Sequence, residues 1–301
     1  MSATAITLIL IAAVAHASWN LFSKQAAQTG AISFIWLAAT AGTLLYIPVI
    51  AVAWAGGWLH LTALGWVFMA GTGVLESAYF VFLQSGYRLG DLSLVYPVGR
   101  GTGALLAAVA GIAFLGERPG PVAIGGIIAV VAGIALIGAP ARAPGPEAAG
   151  AGASAGAVTP AVGPAIGFAV ATGVFIASYT LWDRYAVATL GTSALLQGYA
   201  TFPFMAVVFA LPALRAKDRT ALVWHRYRAQ VAGAAVLMPL AYILVLAALA
   251  FTAVSVVAPA REVSVLFGVL MGGRLLGEGS VARRLTAAVA IAGGIIAIAV
   301  G

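Results

Sequence analysis

The sequence of 301 residues lacks cysteine altogether and is poor in charged side chains. Without cysteine, disulfides, thiolate metal sites and cysteine nucleophiles are excluded. Charged residues make up 8% of the chain, against roughly 25% in a typical soluble domain. Hydrophobic residues make up 63%, and the mean hydropathy is +1.08. The composition therefore predicts an integral membrane protein.

The usual signatures of enzymes and of cofactor sites are also missing from the sequence. No H-E-x-x-H or P-loop lysine motif occurs, and His16, His60 and His225 lack the spacing of metal ligands. We therefore expect no enzyme, no metal and no cofactor. The formal charge of +7 does not predict nucleic-acid binding, because the basic residues lie in short loops between apolar runs, where topology signals occur.

The apolar runs have the length of transmembrane helices, which need about 20 residues each. We expect an all-α, polytopic membrane protein of ten transmembrane helices. The first run is interpreted as a retained helix and not as a signal peptide, because no Lys or Arg precedes it. The ten predicted spans are 3–23, 31–55, 62–86, 92–115, 121–139, 161–181, 192–214, 229–250, 254–275 and 281–300.

A segment rich in Pro, Gly and Ala, 140–160, is typical of a flexible linker. It divides the chain into two predicted repeats of five spans, 1–139 and 161–301. An odd number of spans inverts the second copy, as in many secondary transporters. Chance similarity between Ala/Gly/Val-rich segments is the alternative. The matching positions are Trp19 with Tyr179, Tyr79 with Tyr242, Pro97 with Pro259, Arg100 with Arg261, and Leu115-Gly116-Glu117 with Leu276-Gly277-Glu278.

Basic residues are distributed unevenly over the predicted loops. The loops after spans 1, 3, 5, 7 and 9 hold most of them, and nearly half of these lie between Arg215 and Arg228. The alternate loops hold only Arg118 and Arg184. The positive-inside rule therefore predicts that the first set lies in the cytoplasm and that both termini lie outside.

The most unusual stretch of the sequence is Ser93–Gly103, which sets Pro97 and Arg100 within a predicted span. An arginine in hydrocarbon costs roughly 2.5–3.5 kcal/mol on insertion scales, so it should face a polar interior. A proline kinks the helix and frees a carbonyl. The pattern recurs with Pro259 and Arg261, so we expect one polar site between the repeats, with both prolines as hinges.

Arg100 and Arg261 are the best candidates for substrate binding, because the guanidinium fork suits a carboxylate. An internal ion pair is the alternative for each of them. Glu76 and Glu262 are the available acidic partners. Neighbouring residues on a helix do not face each other, so we expect Glu262 to reach another helix and not to neutralise Arg261.

Three further groups of polar residues are candidates for the site. Glu76 and Tyr79 lie one turn apart on span 3, and we expect this carboxylate to bind a proton or a substrate ammonium, or to pair with an arginine. Tyr96 lies one turn before Arg100. On span 1 we expect Asn20 to face the cavity beside Trp19, and His16 to have a packing role. Tyr179, Thr180, Trp182 and Asp183 are expected to line the opposite end of the path.

With Trp19-Asn20, Tyr96-Pro97 followed by Arg100, and the two Leu-Gly-Glu sequences, the chain resembles the drug/metabolite transporter superfamily. Within it, the resemblance is to the two-domain, ten-helix EamA-like type, and it covers the chain apart from 140–160. Ala258 stands where a second Tyr96 would lie, and Glu262 is added, so we expect an asymmetric site. The resemblance implies that spans 3, 4, 8 and 9 line a central cavity with Tyr79, Tyr96, Arg100, Tyr242 and Arg261.

The resemblance also implies a function, the export of amino acids, aromatic or broadly neutral, or of related small metabolites across the bacterial inner membrane. We expect a monomer-sized bundle that works by alternating access. The alternatives are a polytopic membrane enzyme, with a catalytic cluster at one interface, and a lipid or drug flippase, with a lipid-facing groove. Charges buried inside the spans favour transport of a small molecule.

Overall fold

The computed structural model describes residues 1–59, 61–89, 92–138, 162–264 and 281–301. Within these residues the chain is helical and contains no strand, so the predicted all-α class is confirmed. The predicted linker at 140–160 lies entirely outside the described residues. In chain order the helices are α1 (Ala3–Ala55), α2 (Ala63–Leu89), α3 (Leu92–Phe114), α4 (Pro121–Gly138), α5 (Val162–Ala188), α6 (Ala194–Arg215), α7 (Lys217–Leu249), α8 (Val254–Ala260) and α9 (Val281–Val300).

Six helical segments of the described chain are long and apolar enough to cross a membrane: Ala3–Ala26, Thr29–Ala55, Ala63–Gly86, Gly163–Ala188, Ala194–Arg215 and Lys217–Leu249. Three shorter apolar segments lie at Val98–Phe114, Pro121–Leu136 and Val289–Ile298. Helix α8 is the beginning of the predicted span 254–275, of which residues from 265 onward lie outside the described residues. The chain is therefore a polytopic membrane protein.

Helix α1 contains the first two predicted spans, separated by a break at Gly30. Gly30 has φ 177° and ψ 84°, an extended conformation that interrupts the helical hydrogen bonds. A Cβ atom at Gly30 would lie 3.0 Å from Cγ of Arg219. Glycine at the break therefore allows α7 to approach closely.

The segment Arg215–Arg228 is mostly helical, although the sequence predicted it as a loop before a span at 229–250. Helix α7 begins at Lys217, and its only non-helical residue is Tyr227, with φ −127° and ψ 26°. The density of charge suggested a loop, but Lys and Arg are good helix formers. The basic residues therefore extend the span beyond its apolar part.

The helices pack in pairs that match when the two predicted repeats are exchanged. Helix α2 packs on α5, and α1 packs on α7, so the third span of each repeat contacts the first span of the other. The indole of Trp182 donates to the carbonyl of Phe68 at 2.8 Å in one pair, and Gln230 donates to Gln25 at 3.1 Å in the other. This is the pattern expected of the two predicted repeats.

Helices α4 and α9, the last spans of the two predicted repeats, also pack on each other. Their closest approach involves Gly126 and Gly294. A Cβ at Gly126 would lie 2.5 Å from the carbonyl oxygen of Gly294, and one at Gly294 would lie 2.6 Å from that of Gly126. Small residues permit such backbone contact between membrane helices.

The Leu115-Gly116-Glu117 sequence joins the end of α3 to the beginning of α8. Gly116 has φ 67°, the left-handed conformation that commonly ends helices at glycine. The turn directs the carboxylate of Glu117 to α8, where it accepts hydrogen bonds from the backbone N–H groups of Val254 and Ser255, each at 2.8 Å. The motif thus ends one helix and caps another. Its second copy, at 276–278, lies outside the described residues.

We predict that Glu117→Gln lowers the thermal stability of the protein, because an amide has one acceptor oxygen and leaves one helix N–H without a partner. The expected loss is about 1–2 kcal/mol, the cost of an unsatisfied donor. The melting temperature of the purified protein in detergent measures it. Arg118→Gln, at the exposed neighbouring position, is the control. Equal melting temperatures for the two variants would contradict the capping role.

Candidate functional site

A cavity of about 50 Å³ lies where helices α1, α2, α3, α5, α6 and α7 meet the end of α8. Both predicted repeats contribute to its walls. A buried water needs at least about 10–15 Å³ of such volume, so the cavity has room for a few waters. We call it the central cavity.

Aromatic rings form much of the wall of the central cavity. The rings of Tyr79 and Tyr179 lie 6.0 Å apart edge to face, and those of Tyr179 and Tyr242 lie 6.2 Å apart in the same arrangement. Trp19, Phe80 and Phe202 complete the set. Such a wall offers both apolar surface and ring faces that attract cations.

Three pairs of residues at matching positions of the predicted repeats line the central cavity: Trp19 with Tyr179, Tyr79 with Tyr242, and Arg100 with Arg261. Each pair takes one member from each repeat. The polar residues that gave the repeat its signature in the sequence therefore meet at one place in the structure.

Arg100 is almost fully bonded within the protein. Its Nε donates to Glu262 Oε2 at 2.8 Å, and its Nη2 lies 3.4 Å from the hydroxyl of Ser264. Its Nη1 lies 3.0 Å from Nε2 of His16. Because Arg100 and Glu262 are 3% and 0% exposed, this is a buried ion pair between the two predicted repeats.

Arg261 differs from Arg100 because two of its guanidinium nitrogens lack hydrogen bonds to the described residues. The residue is 6% exposed and lines the central cavity. Among the described residues, neither its Nε nor its Nη2 has a hydrogen-bond partner. Its Nε lies 3.4 Å from Glu262 Oε1, which also has no hydrogen bond. Two guanidinium groups therefore contact one carboxylate, and the contact of Arg261 is the longer of the two.

Glu76 is the second carboxylate of the central cavity. It is 8% exposed, and within the described part of the chain no ion pair or hydrogen bond to its side chain is found. A buried carboxylate of this kind is costly unless it takes up a proton or a cation. It is therefore available to an incoming ligand.

A polar cluster around Asp183 adjoins the central cavity. Asp183 is fully buried, and its Oδ1 accepts hydrogen bonds from the hydroxyl of Thr72 at 2.5 Å and from Gln197 Nε2 at 3.0 Å. Its Oδ2 accepts a hydrogen bond from the hydroxyl of Tyr242. Since the Tyr242 ring lines the cavity, this cluster fixes one wall.

Comparison with known proteins gives a family for the first part of the chain and a fold for all of it. Residues 3–139 match the sequence profile of the EamA-like transporter family. This part of the chain is therefore similar to the EamA-like transporter family. The match confirms the resemblance to the drug/metabolite transporter superfamily.

A solved crystal structure of another protein has the same fold as the whole chain. It superposes with a TM-score of 0.68 at 18% identity and covers 99% of this chain and 96% of its own. No curated protein matches the sequence. The fold of that structure therefore covers the whole chain, and members of the family that residues 3–139 match are transporters.

The structure brings seven of the predicted site residues of this EamA-like protein to the central cavity: Trp19, Glu76, Tyr79, Arg100, Tyr179, Tyr242 and Arg261. Asn20 does not line the cavity, because its amide donates to the carbonyl of His16 at 2.8 Å. His16 lines it instead. Of Thr180, Trp182 and Asp183, also expected along the path, none lines the cavity.

Tyr96 and Glu262 lie behind the cavity wall. The guanidinium of Arg100 is 6.0 Å from the centre of the Tyr96 ring. Glu262 contacts its neighbour Arg261 as well as Arg100, contrary to the expectation from helix geometry, because α8 ends at Ala260. Pro259 is buried in α8; the side chain of Pro97 lies outside the described part of the structure.

Sequence reasoning overlooked four residues around the cavity: His16 as a lining residue, Phe80, Thr72 and Gln197. Thr72 and Phe80 lie one turn before and one turn after Glu76 on α2, so the helical period would have found them. Gln197 is three residues into α6, and no pattern in the sequence distinguishes it.

We predict that Glu262→Gln destabilises this EamA-like protein by about 3–5 kcal/mol, the usual cost of breaking a buried ion pair on one side. Arg100 would keep its charge and lose its partner. Thermal unfolding in detergent measures the effect. Glu76→Gln is the matched control, since that carboxylate has no hydrogen bond to lose. If Glu262→Gln melts no earlier than Glu76→Gln, the ion pair is not what stabilises the centre.

Proposed function

We propose that this protein exports amino acids, aromatic or broadly neutral, or related small metabolites across the bacterial inner membrane. The observation that carries the proposal is the guanidinium of Arg261, which is 6% exposed, faces the central cavity and leaves two nitrogen atoms without a hydrogen bond to any described residue. Charge-assisted bonds from arginine to a carboxylate are among the strongest available in proteins.

The proposed substrate presents its carboxylate to Arg261. Glu262 already neutralises Arg100 at 2.8 Å, but it lies 3.4 Å from Arg261. An entering carboxylate would therefore complete the bonding of Arg261 without breaking the ion pair. This supports Arg261 as the anchor and Arg100 as the residue that holds Glu262.

The proposed substrate presents its ammonium group to Glu76. This carboxylate is 8% exposed and faces the same cavity as Arg261. The rings of Tyr79 and Tyr179 add surfaces that attract a cation and accommodate an apolar side chain. A zwitterion would satisfy both charged residues at once, which supports an amino acid over a simple anion.

The proposed transport cycle is alternating access between the repeats 1–139 and 161–301. A cavity of about 50 Å³ is filled by a few waters, so an amino acid with a large side chain enters only if the walls separate. The ion pair between Arg100 and Glu262 joins the repeats. Pro97 and Pro259 are proposed as hinges on the two helices that lead to these charges.

The charged residues lie inside the bundle, where helices from both repeats meet. This supports a small polar solute over a lipid, because a flippase needs a polar groove open to the bilayer. It also supports transport over catalysis at a membrane interface, the role considered for a polytopic membrane enzyme.

We predict that the protein in proteoliposomes transports members of a labelled amino-acid panel, and that Arg261→Gln raises the KM of transport. Loss of a charged hydrogen bond corresponds to a rise of about tenfold to a hundredfold. The wild type should also prefer an amino acid over its uncharged amide, and Arg261→Gln should lose that preference. Initial rates over a range of substrate concentrations measure both effects.

Arg118→Gln is the control for this experiment, because Arg118 is an exposed arginine between α3 and α4. It should leave KM and the preference for the carboxylate unchanged. If the folded wild type moves no amino acid, the substrate assignment is wrong. If it moves amino acids but Arg261→Gln binds them equally well, the anchor has been assigned to the wrong residue.

A further inference from the structure

A second cavity, of about 100 Å³, adjoins the central one. Its walls come from α1 after the break at Gly30, from the second half of α2 and from α6. They include Ile32, Phe80, Gln84, Arg88 and Phe209. We call it the vestibule.

The side chain of Phe80 is common to the linings of the vestibule and the central cavity. It is 4% exposed. Its ring centre lies 6.0 Å from that of Trp19 and 4.9 Å from that of Tyr79. Ring packing and apolar contacts hold it in position. No hydrogen bond has to break for the ring to turn, so its displacement is a side-chain event.

Residues spaced by four along α2 lead from the central cavity to the end of the helix. Glu76 lies in the central cavity, Phe80 between the cavities, Gln84 in the vestibule, and Arg88 at the vestibule's exposed rim. At 1.5 Å rise per residue each step is about 6 Å and the whole row about 18 Å. The row therefore joins the two cavities along one side of the helix.

The vestibule lies toward the basic end of the bundle. Arg88 is in the last turn of α2, and Arg215 is in the last turn of α6. The side chain of Arg219 lies against the break at Gly30, next to the vestibule wall. Positive charge at the mouth of a cleft raises the local concentration of anions. A solute with a carboxylate group is therefore drawn to this end.

We propose that the vestibule is the entrance through which the transported solute reaches the central cavity from the basic end, and that the Phe80 ring is the gate between them. The identity of the solute, a molecule with a carboxylate, rests on the proposed function. The gate itself does not depend on it. With the ring in its observed position, the central cavity is closed toward the vestibule. When the ring turns away, the two cavities become continuous.

The natural absence of cysteine provides the test, because a single introduced cysteine is the only thiol in the chain. Ser85→Cys places a thiol in the vestibule, and Ala241→Cys places one in the central cavity. Each variant is made in membrane vesicles of both orientations and labelled with a charged, membrane-impermeant thiol reagent. The orientation in which Ser85→Cys reacts identifies the side on which the vestibule opens.

Phe80→Ala should then accelerate labelling of Ala241→Cys from that same side by about tenfold or more, a factor that corresponds to about 1.4 kcal/mol. Phe80→Leu, a smaller change in volume, should give an intermediate rate if the alanine variant does not fold. Phe209→Ala is the matched control. It removes the same buried ring from the vestibule wall, but Phe209 does not line the central cavity.

Unchanged labelling of Ala241→Cys in both Phe80 variants would overturn the gate, as would an equal acceleration by Phe209→Ala. Acceleration from the opposite side of the membrane would overturn the vestibule as the entrance. Because the labelling needs no substrate, its result is independent of the amino-acid panel. Accelerated labelling without amino-acid flux would support the gate and reject amino acids as the substrate class. Amino-acid flux without accelerated labelling would support the substrate class and reject the gate.

Discussion

The whole centre of this protein depends on the compensation of arginine charge inside a membrane. A guanidinium in hydrocarbon is costly, and it does not lose its proton to escape that cost. Arg100 and Arg261 therefore need an acid within reach, and Glu262 contacts both, at 2.8 and 3.4 Å. This fixes how the residues that follow α8 lie against α3. Glu262 gives Arg261 only the longer of the two contacts, and two nitrogens of Arg261 have no hydrogen bond to any described residue, which is the chemical basis of the anionic ligand that we propose.

The pairs of matching residues and the unmatched ones have different roles in this site. Trp19 with Tyr179, Tyr79 with Tyr242, and Arg100 with Arg261 line the cavity in pairs, with one member of each pair from each predicted repeat. Glu76 and Glu262 have no counterparts in the other half and make the site directional. A zwitterion is directional in the same sense, because its two charges are opposite. We propose that the residues of the matching pairs build the space and that the two acids without counterparts orient a ligand in it.

The sequence predicted the position of residues that are costly to bury in a membrane, such as arginine, and of residues that occur in both predicted repeats. Arg100 and Arg261 had to face a polar interior wherever the helices packed. Asn20 and His16 share one helical row, and only the contact of the Asn20 amide with a carbonyl of its own helix, at 2.8 Å, determines which of them reaches the cavity. Glu262 reaches Arg100 on another helix, as expected, but its additional contact with Arg261 was not predicted, because α8 ends one residue before Arg261. The buried position of Asp183 was not predicted, because a span expected to end at 181 continues to Ala188.

Different kinds of interaction lie along α2 on the two sides of Glu76. Along α2, Thr72 lies one turn from Glu76 in one direction and Phe80 one turn in the other. On the Phe80 side the closure is ring packing, which a side-chain rotation undoes without leaving a polar group unpaired. On the Thr72 side, Asp183 accepts hydrogen bonds from three uncharged groups, and separating them would strand a buried carboxylate unless water or a cation replaces them. The Phe80 side therefore opens at the lower cost. Because the ring of Tyr242 lines the cavity and its hydroxyl holds Asp183, a ligand that displaces this ring acts directly on the costlier closure.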